Sequence, residues 1–239
     1  MVNGVAKRGS TTQNCPGCGG TATKSKTFDA NGNVASIKDF NGNLSCFTHD
    51  LARNLETART EGLSGSGTCS SRVTTAATRT ITTEWHPQWR VRKRIAEPLR
   101  ITTFAYHGEA GVSCAPGGAS QTLLCSRTVQ ATTDFNGASA FSATADGAPR
   151  TWALTYNANG QLLAADGPRT DVADVSTRTY YTANDPSGNY RAGDLASSTN
   201  AAGHTTQYTH YDASGRLKRM VDPNGLETLL DYWPRGWLK

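Results

Sequence analysis

Side chains of one kind recur at every second position in short runs of this chain. His204, Thr206, Tyr208 and His210 share one parity, and Thr205, Gln207, Thr209 and Tyr211 share the other. Arg90, Arg92 and Arg94 likewise oppose Val91 and Ile95. A period of two puts the two sets on opposite faces of a strand. The runs are short, rich in Thr, Val, Ile and Tyr, and bounded by Gly, Asn, Asp and Ser, which is how a strand-and-turn chain reads. Strands are predicted at Val34–Lys38, Leu44–Thr48, Arg72–Thr83, Arg90–Ile95, Leu99–Tyr106, Leu123–Thr133, Thr151–Tyr156 and Ser176–Thr182. Leu51–Arg59 reads as a helical turn or two, and Glu61–Ser71 as an exposed connection.

The pattern repeats. Between Tyr211 and Tyr232 lie two Gly-centred turns, Asp212–Arg216 and Asp222–Leu226, whose glycines Gly215 and Gly225 are ten residues apart. Gly32 and Gly42 have the same spacing, after Phe28 and Asp29. Tyr156 leads into Asn157 and Gly160, and Tyr190 leads into Gly193. Tyr190, Tyr211 and Tyr232 are each separated by 21 residues. A fixed period outweighs any single local motif as evidence of architecture. The organisation expected is an irregular segment at 1–27, a repeat at 28–50, divergent repeats with two inserted loops at 51–155, and further repeats at 156–239. Gly236–Lys239 falls inside a new copy without a polar cap, so the chain reads as part of a longer array, marginally stable or self-associating alone.

Composition supports strands over helices and adds little else. The chain has 239 residues, 36% hydrophobic, with a formal net charge of +5. That charge is a weak bias toward anionic partners. No run approaches the ~20 apolar residues of a membrane-spanning helix. No signal peptide is present in residues 1–27. Six cysteines suit disulfides, while a reduced or metal-bound state stays open. Cys46 with Cys69, and Cys114 with Cys125, bracket the two Gly-rich insertions and are read as disulfide candidates.

Tyr211, Asp212, Gly215, Arg216 and Leu217, then Asp222, Gly225 and Tyr232, resemble the YD repeat of RHS-family proteins. Phe28 to Val34 and Tyr156 to Leu162 match with conservative departures. The resemblance implies an all-β fold of repeated hairpins wound into part of a spiralling shell. It also implies a structural role: bacterial RHS shells enclose a C-terminal toxin domain for delivery to neighbouring cells, and related teneurin shells support adhesion. The implied partners are the remainder of the same polypeptide, an enclosed toxin domain, and secretion machinery or a surface glycan. The implied location is secreted or cell-surface, within a longer protein.

Candidate chemistry is sparse. No catalytic, metal or cofactor residues are assigned, and no cofactor or nucleic acid is expected. Cys15 and Cys18 form a CxxC without a second pair, so a structural turn or local crosslink is preferred to zinc. His49, His86, His107, His204 and His210 form no metal motif. Asp222, Pro223, Asn224, Gly225 and Leu226 resemble the self-cleaving end of RHS cores, but they sit in an ordinary repeat turn. The basic run Arg90–Arg94 is read as the wet face of a strand. Trp85, Trp89, Trp233 and Trp237 are the exposed aromatics expected of an alternative reading, a carbohydrate-binding adhesion module.

Overall fold

The computed structural model describes every residue except 1–3, 16, 18, 19 and 66, and Cys15 by its backbone alone. Among the described residues its regular secondary structure is almost all strand. Sixteen strands are hydrogen-bonded in the order of the chain, and every pair whose register is resolved is antiparallel. Within each unit successive hairpins therefore extend a meander, as a repeat of strand, turn and strand requires. Two compact units share the chain: Met1–Phe104 with Thr128–Arg150, and Ala105–Arg127 with Thr151–Lys239.

The first unit contains β1 (Ser10–Cys15), β2 (Gly20–Phe28), β3 (Val34–Lys38), β4 (Leu44–Asp50), β5 (Leu55–Leu63), β6 (Arg79–Trp85), β7 (Arg92–Glu97) and most of β8 (Arg100–Tyr106). The predicted strand at Val34–Lys38 is found with those bounds. The helical turn expected at Leu51–Arg59 is not. Residues 51–54 form a tight turn with Asn54 at φ 52°, and β5 follows at once. Leu55 and Leu63 are buried, so pairing with β4 overrides the helical propensity of the segment. The strand expected at Arg72–Thr83 starts only at Arg79, because residues 67–78 leave the sheet. Likewise β7 starts at Arg92 rather than Arg90.

Residues 67–78 pack onto β4 and β5. The Cys46–Cys69 disulfide, with Cα atoms 5.6 Å apart, joins them to β4. Lys38 Nζ donates to the Gly65 carbonyl at 2.9 Å, and Asn136 Nδ2 to the Thr75 carbonyl at 3.1 Å. Beneath lie Leu44, Cys46 and Leu63, a small cluster of buried apolar side chains against which Cys69 packs.

A further excursion interrupts the strands after Ala131. β9 (Leu124–Ala131) is followed by an excursion that holds a single 3-10 turn at Ala140–Ser142 and returns at β10 (Arg150–Tyr156). The Thr80 N–H donates to the Asn136 carbonyl at 2.7 Å, and the Leu99 N–H to the Asp134 carbonyl at 2.7 Å. Gly137 lies over β6 at φ 77°, where a Cβ would run into the Thr80 carbonyl. Only glycine suits such a backbone and such an approach.

The second unit continues with β11 (Leu162–Asp166), β12 (Ser176–Tyr180), β13 (Leu195–Thr199), β14 (Thr205–Tyr211), β15 (Leu217–Val221) and β16 (Glu227–Leu229). Its insertion, residues 107–123, is closed by the Cys114–Cys125 disulfide, with Cα atoms 5.3 Å apart. The Tyr156 N–H donates to the Cys114 carbonyl at 2.8 Å.

Candidate functional site

The geometry that recurs is a turn and a tyrosine latch. The turn is built on Asp29, Asp39, Asn157, Asn200, Asp212 and Asp222. In each, Oδ1 accepts the backbone N–H groups two and four residues later. For Asp212 these come from Ser214 at 2.9 Å and Arg216 at 3.0 Å. For Asp222 they come from Asn224 at 2.9 Å and Leu226 at 2.8 Å. For Asn200, an amide oxygen serves Ala202 and His204 at 3.0 Å each. The third residue after each is Gly32, Gly42, Gly160, Gly203, Gly215 or Gly225, with φ between 76° and 86°. Its N–H returns to the carbonyl of the Asp or Asn. This is the bonding of a three-residue hairpin loop with a left-handed glycine. The acidic or amide side chain holds donors that a short loop would otherwise leave free.

These turns also set the charge of their carboxylates. The Asn43 side-chain amide, followed by loop N–H groups, holds the Asp39 carboxyl below its ordinary range. The Arg216 N–H does the same for Asp212 against partial desolvation, aided by the Arg216 guanidinium at 2.6 Å. For Asp29, desolvation is the largest influence and pushes up. The combined donors from Asn33 and Asn31, with nearby His49, outweigh it. His49 Nδ1 lies 3.3 Å from Asp29 Oδ2.

The latch joins each hairpin to the strand before it. Tyr211 Oη donates to the Leu195 carbonyl at 2.7 Å, and Tyr232 Oη to that of Leu217 at 2.8 Å. Tyr156 does the same to Leu124 at 3.0 Å, and Tyr180 to Leu162 at 3.0 Å. Every acceptor is the first residue of its strand, and Tyr156, Tyr180 and Tyr211 are the last of theirs. Tyr211 pairs in turn with Leu217 across a register shift, as Tyr156 does with Leu162. A ring that covers apolar surface while its hydroxyl reaches a polar partner suits this position. Desolvation, with Asp194 nearby, pushes the Tyr211 hydroxyl up to about 12. Phe28 occupies the same place opposite Val34 without a hydroxyl.

Two residues with the repeat spacing take other places. Tyr190 lies between β12 and β13, stacked on Tyr181 with ring centroids 3.5 Å apart. The place of Tyr211 is held in that copy by Tyr180. Gly193 donates its N–H to the Tyr181 carbonyl at 2.8 Å, and the hairpin glycine is Gly203. The spacing of 21 marks a sequence copy at Tyr190, but residues 181–194 are a loop between β12 and β13, so Tyr180 takes the place opposite Leu195. The Asn200–Gly203 turn joins β13 to β14, as Asp222–Gly225 joins β15 to β16.

The remaining candidates are spread over both units. His107, Cys114 and Cys125 place their ligand atoms within 4.8 Å of one another, but the two sulfurs are bonded together. The other histidines stand apart from that group. The CxxC at Cys15 and Cys18 lies outside the described residues. Trp85 and Trp89 are not exposed platforms. Trp85 is half-buried, with Nε1 donating to the Glu56 carbonyl at 2.8 Å. Trp89 is stacked on His86 at 4.0 Å. Trp233 and Trp237 are exposed, at 52% and 69%, and they flank a turn with Trp233 in the place of the Asp.

Comparison with known proteins agrees with this geometry. Residues 190–228 match the RHS Repeat family model. No curated protein sequence matches. The fold is similar to the crystal structure of TcdB2-TccC3 without its hypervariable C-terminal region. The TM-score is 0.60 and the identity 15%, over 91% of this chain and 10% of that one. The crystal structure of TcdB2-TccC3 gives a TM-score of 0.57 at 14% identity, with the same coverage. This chain therefore spans about a tenth of the length of the chains it resembles.

Proposed function

We propose, from the premise that the chain is an RHS/YD-repeat protein, that it forms a stretch of shell wall. In this reading the whole polypeptide encloses a C-terminal toxin domain and delivers it in competition between cells. The observation that carries the reading is the tyrosine latch. It repeats from Leu124 to Tyr232 with the same donor and the same kind of acceptor. A contact that links each hairpin to its predecessor serves extension of a wall and has no use in a single closed site. The turns absorb the Asp and Asn residues that might otherwise suggest catalysis. Asp222 is engaged by Asn224 and Leu226, like the other five turn residues.

The partners of this segment are then the remainder of its own polypeptide and the enclosed domain. Its location is secreted or cell-surface. The chemistry of the whole protein resides in the cargo. The test is limited proteolysis of the full polypeptide encoded by the natural reading frame. The C-terminal domain should resist cleavage while the wall is folded, and become sensitive when mild denaturant opens it. Equal cleavage rates with the wall folded and opened would overturn encapsulation.

A further inference from the structure

Positive charge is unevenly distributed along the chain. Its 24 Lys and Arg exceed its 19 Asp and Glu by five. Lys7, Arg8, Lys24 and Lys26 stand in the first 28 residues, which contain no carboxylate, so the rest of the chain carries a net +1. Such an asymmetry marks one end of a chain for an anionic contact.

Elsewhere, several basic side chains are paired with carboxylates. Arg79 and Arg100 share Glu97, Arg94 meets Glu84, and Lys218 and Lys239 share Asp231. Arg8, Lys24 and Lys26 face no carboxylate among the described residues. They line one cleft of about 230 Å³ together with Gly9, Ser10 and Thr11. The register explains the convergence. Thr11 lies opposite Lys24, and the Lys26 N–H donates to the Gly9 carbonyl at 2.6 Å. Lys24 and Lys26 are two residues apart on β2 and so share a face.

We propose that this cleft binds an oxyanion group, phosphate or sulfate. Three cations held together repel one another, and an anion between them relieves that cost. Two ammonium groups, a guanidinium fork and the Thr11 hydroxyl, which shares the face of Lys24, supply the donors a tetrahedral oxyanion accepts. No apolar side chain lines the cleft, so it suits a compact charged group and not an apolar ligand. No aromatic ring lines it either, so it lacks the stacking platform of single-stranded nucleic acid recognition.

The experiment is lysine-acylation footprinting of the full chain by mass spectrometry, at ionic strength held constant with chloride. Inorganic phosphate or sulfate should slow labelling of Lys24 and Lys26 by roughly threefold, leaving Lys218 unchanged. Arg8→Gln should weaken that protection, while Arg235→Gln, far along the chain, should not. Heparin is the second arm. Protection at a far lower sulfate concentration than inorganic sulfate needs assigns the site to a sulfated polymer. Protection at equal sulfate concentration assigns it to the free ion. Chloride protecting equally well would overturn the proposal. So would protection that survives Arg8→Gln combined with Lys26→Gln in a chain with an unchanged circular dichroism spectrum.

Discussion

In the first unit Leu44, Cys46, Leu55, Thr60, Leu63, Ile81 and Ala96 are all buried, whereas from Thr151 to Lys239 no residue is. Both regions are antiparallel hairpins in chain order, with the same turns. They differ in what lies on the sheet. Residues 67–78 and the excursion after β9 cover strands of the first unit. Inserted chain touches the strands from β10 to β16 at Tyr156 and Tyr211, but it buries none of their side chains, which stay half-buried or exposed. Hairpin geometry thus makes a sheet but not a core; a core forms where inserted chain shields one face. Where no insert does so, polar latches hold neighbouring hairpins together. Each is worth on the order of 1 kcal/mol, well below the burial of a large apolar side chain.

The sharpest way to break this contrast is to release the cover. Replacing Cys69 with Ala opens the bridge to Cys46 and frees residues 67–78 from the Leu44 and Leu63 cluster. Loss of a loop of this size should destabilise the first unit by about 3 kcal/mol. Trypsin should then cut after Arg72, which is exposed but pinned in the intact chain. Reductant should reproduce both effects in the unmodified chain. Unchanged urea unfolding and unchanged cleavage at Arg72 would show that the bridge does not hold the cover.

The second region depends on its latches, so the next effect is smaller and local. Tyr211→Phe keeps the ring but leaves the Leu195 carbonyl without its donor, at a cost of about 1 kcal/mol. The same hydroxyl predicts a response to base. Its folded pKa, about 12, lies above the ordinary value of 10. The stabilisation is complete below pH 10 and is lost as pH rises from there through 12, because the unfolded chain releases its proton first. Urea titrations across that range should show a shallower decline in Tyr211→Phe than in the parent. Parallel declines would detach the latch from stability.

Much of this was legible in the sequence, for reasons the turns make plain. Asp212, Gly215, Asp222 and Gly225 do local work, so their spacing reports their structure directly. The all-β hairpin fold follows from the same signals. Long-range packing was less legible. Leu51–Arg59 looked helical because nothing local announces that β4 will capture it. The excursion after β9 has no local signal, because its anchors, Thr80 and Leu99, are distant in sequence. Tyr180 was hidden because an inserted loop shifted the count on which Tyr190 was chosen. The uncompensated cations near β1 were visible as composition, but only the strand register brings Arg8, Lys24 and Lys26 to one cleft.

The finest test of the comparison asks whether the turn needs its charge. Asn157 and Asn200 accept two loop N–H groups as Asp212 does, at the same 3.0 Å or within 0.1 Å of it. An amide oxygen therefore suffices for the loop, and the carboxylate adds only its contact with the Arg216 guanidinium. That pair is partly exposed, at 32% and 21%, and pairs near solvent contribute about 0–1 kcal/mol. Asp212→Asn should accordingly leave the urea midpoint almost unchanged. Asp212→Ala, which strips both loop donors of their acceptor, should lower the urea midpoint clearly more than Asp212→Asn does. Asp212→Asn should also remove the Asp212 share of any acid sensitivity. The folded pKa of this carboxyl is depressed, so its stabilisation is present above the ordinary carboxylate range and lost as pH falls below it. Equal losses for Asn and Ala would mean that the ion pair, and not the loop donors, closes the hairpin. The turns built on Asn157 and Asn200 would then need a different account from those built on aspartate.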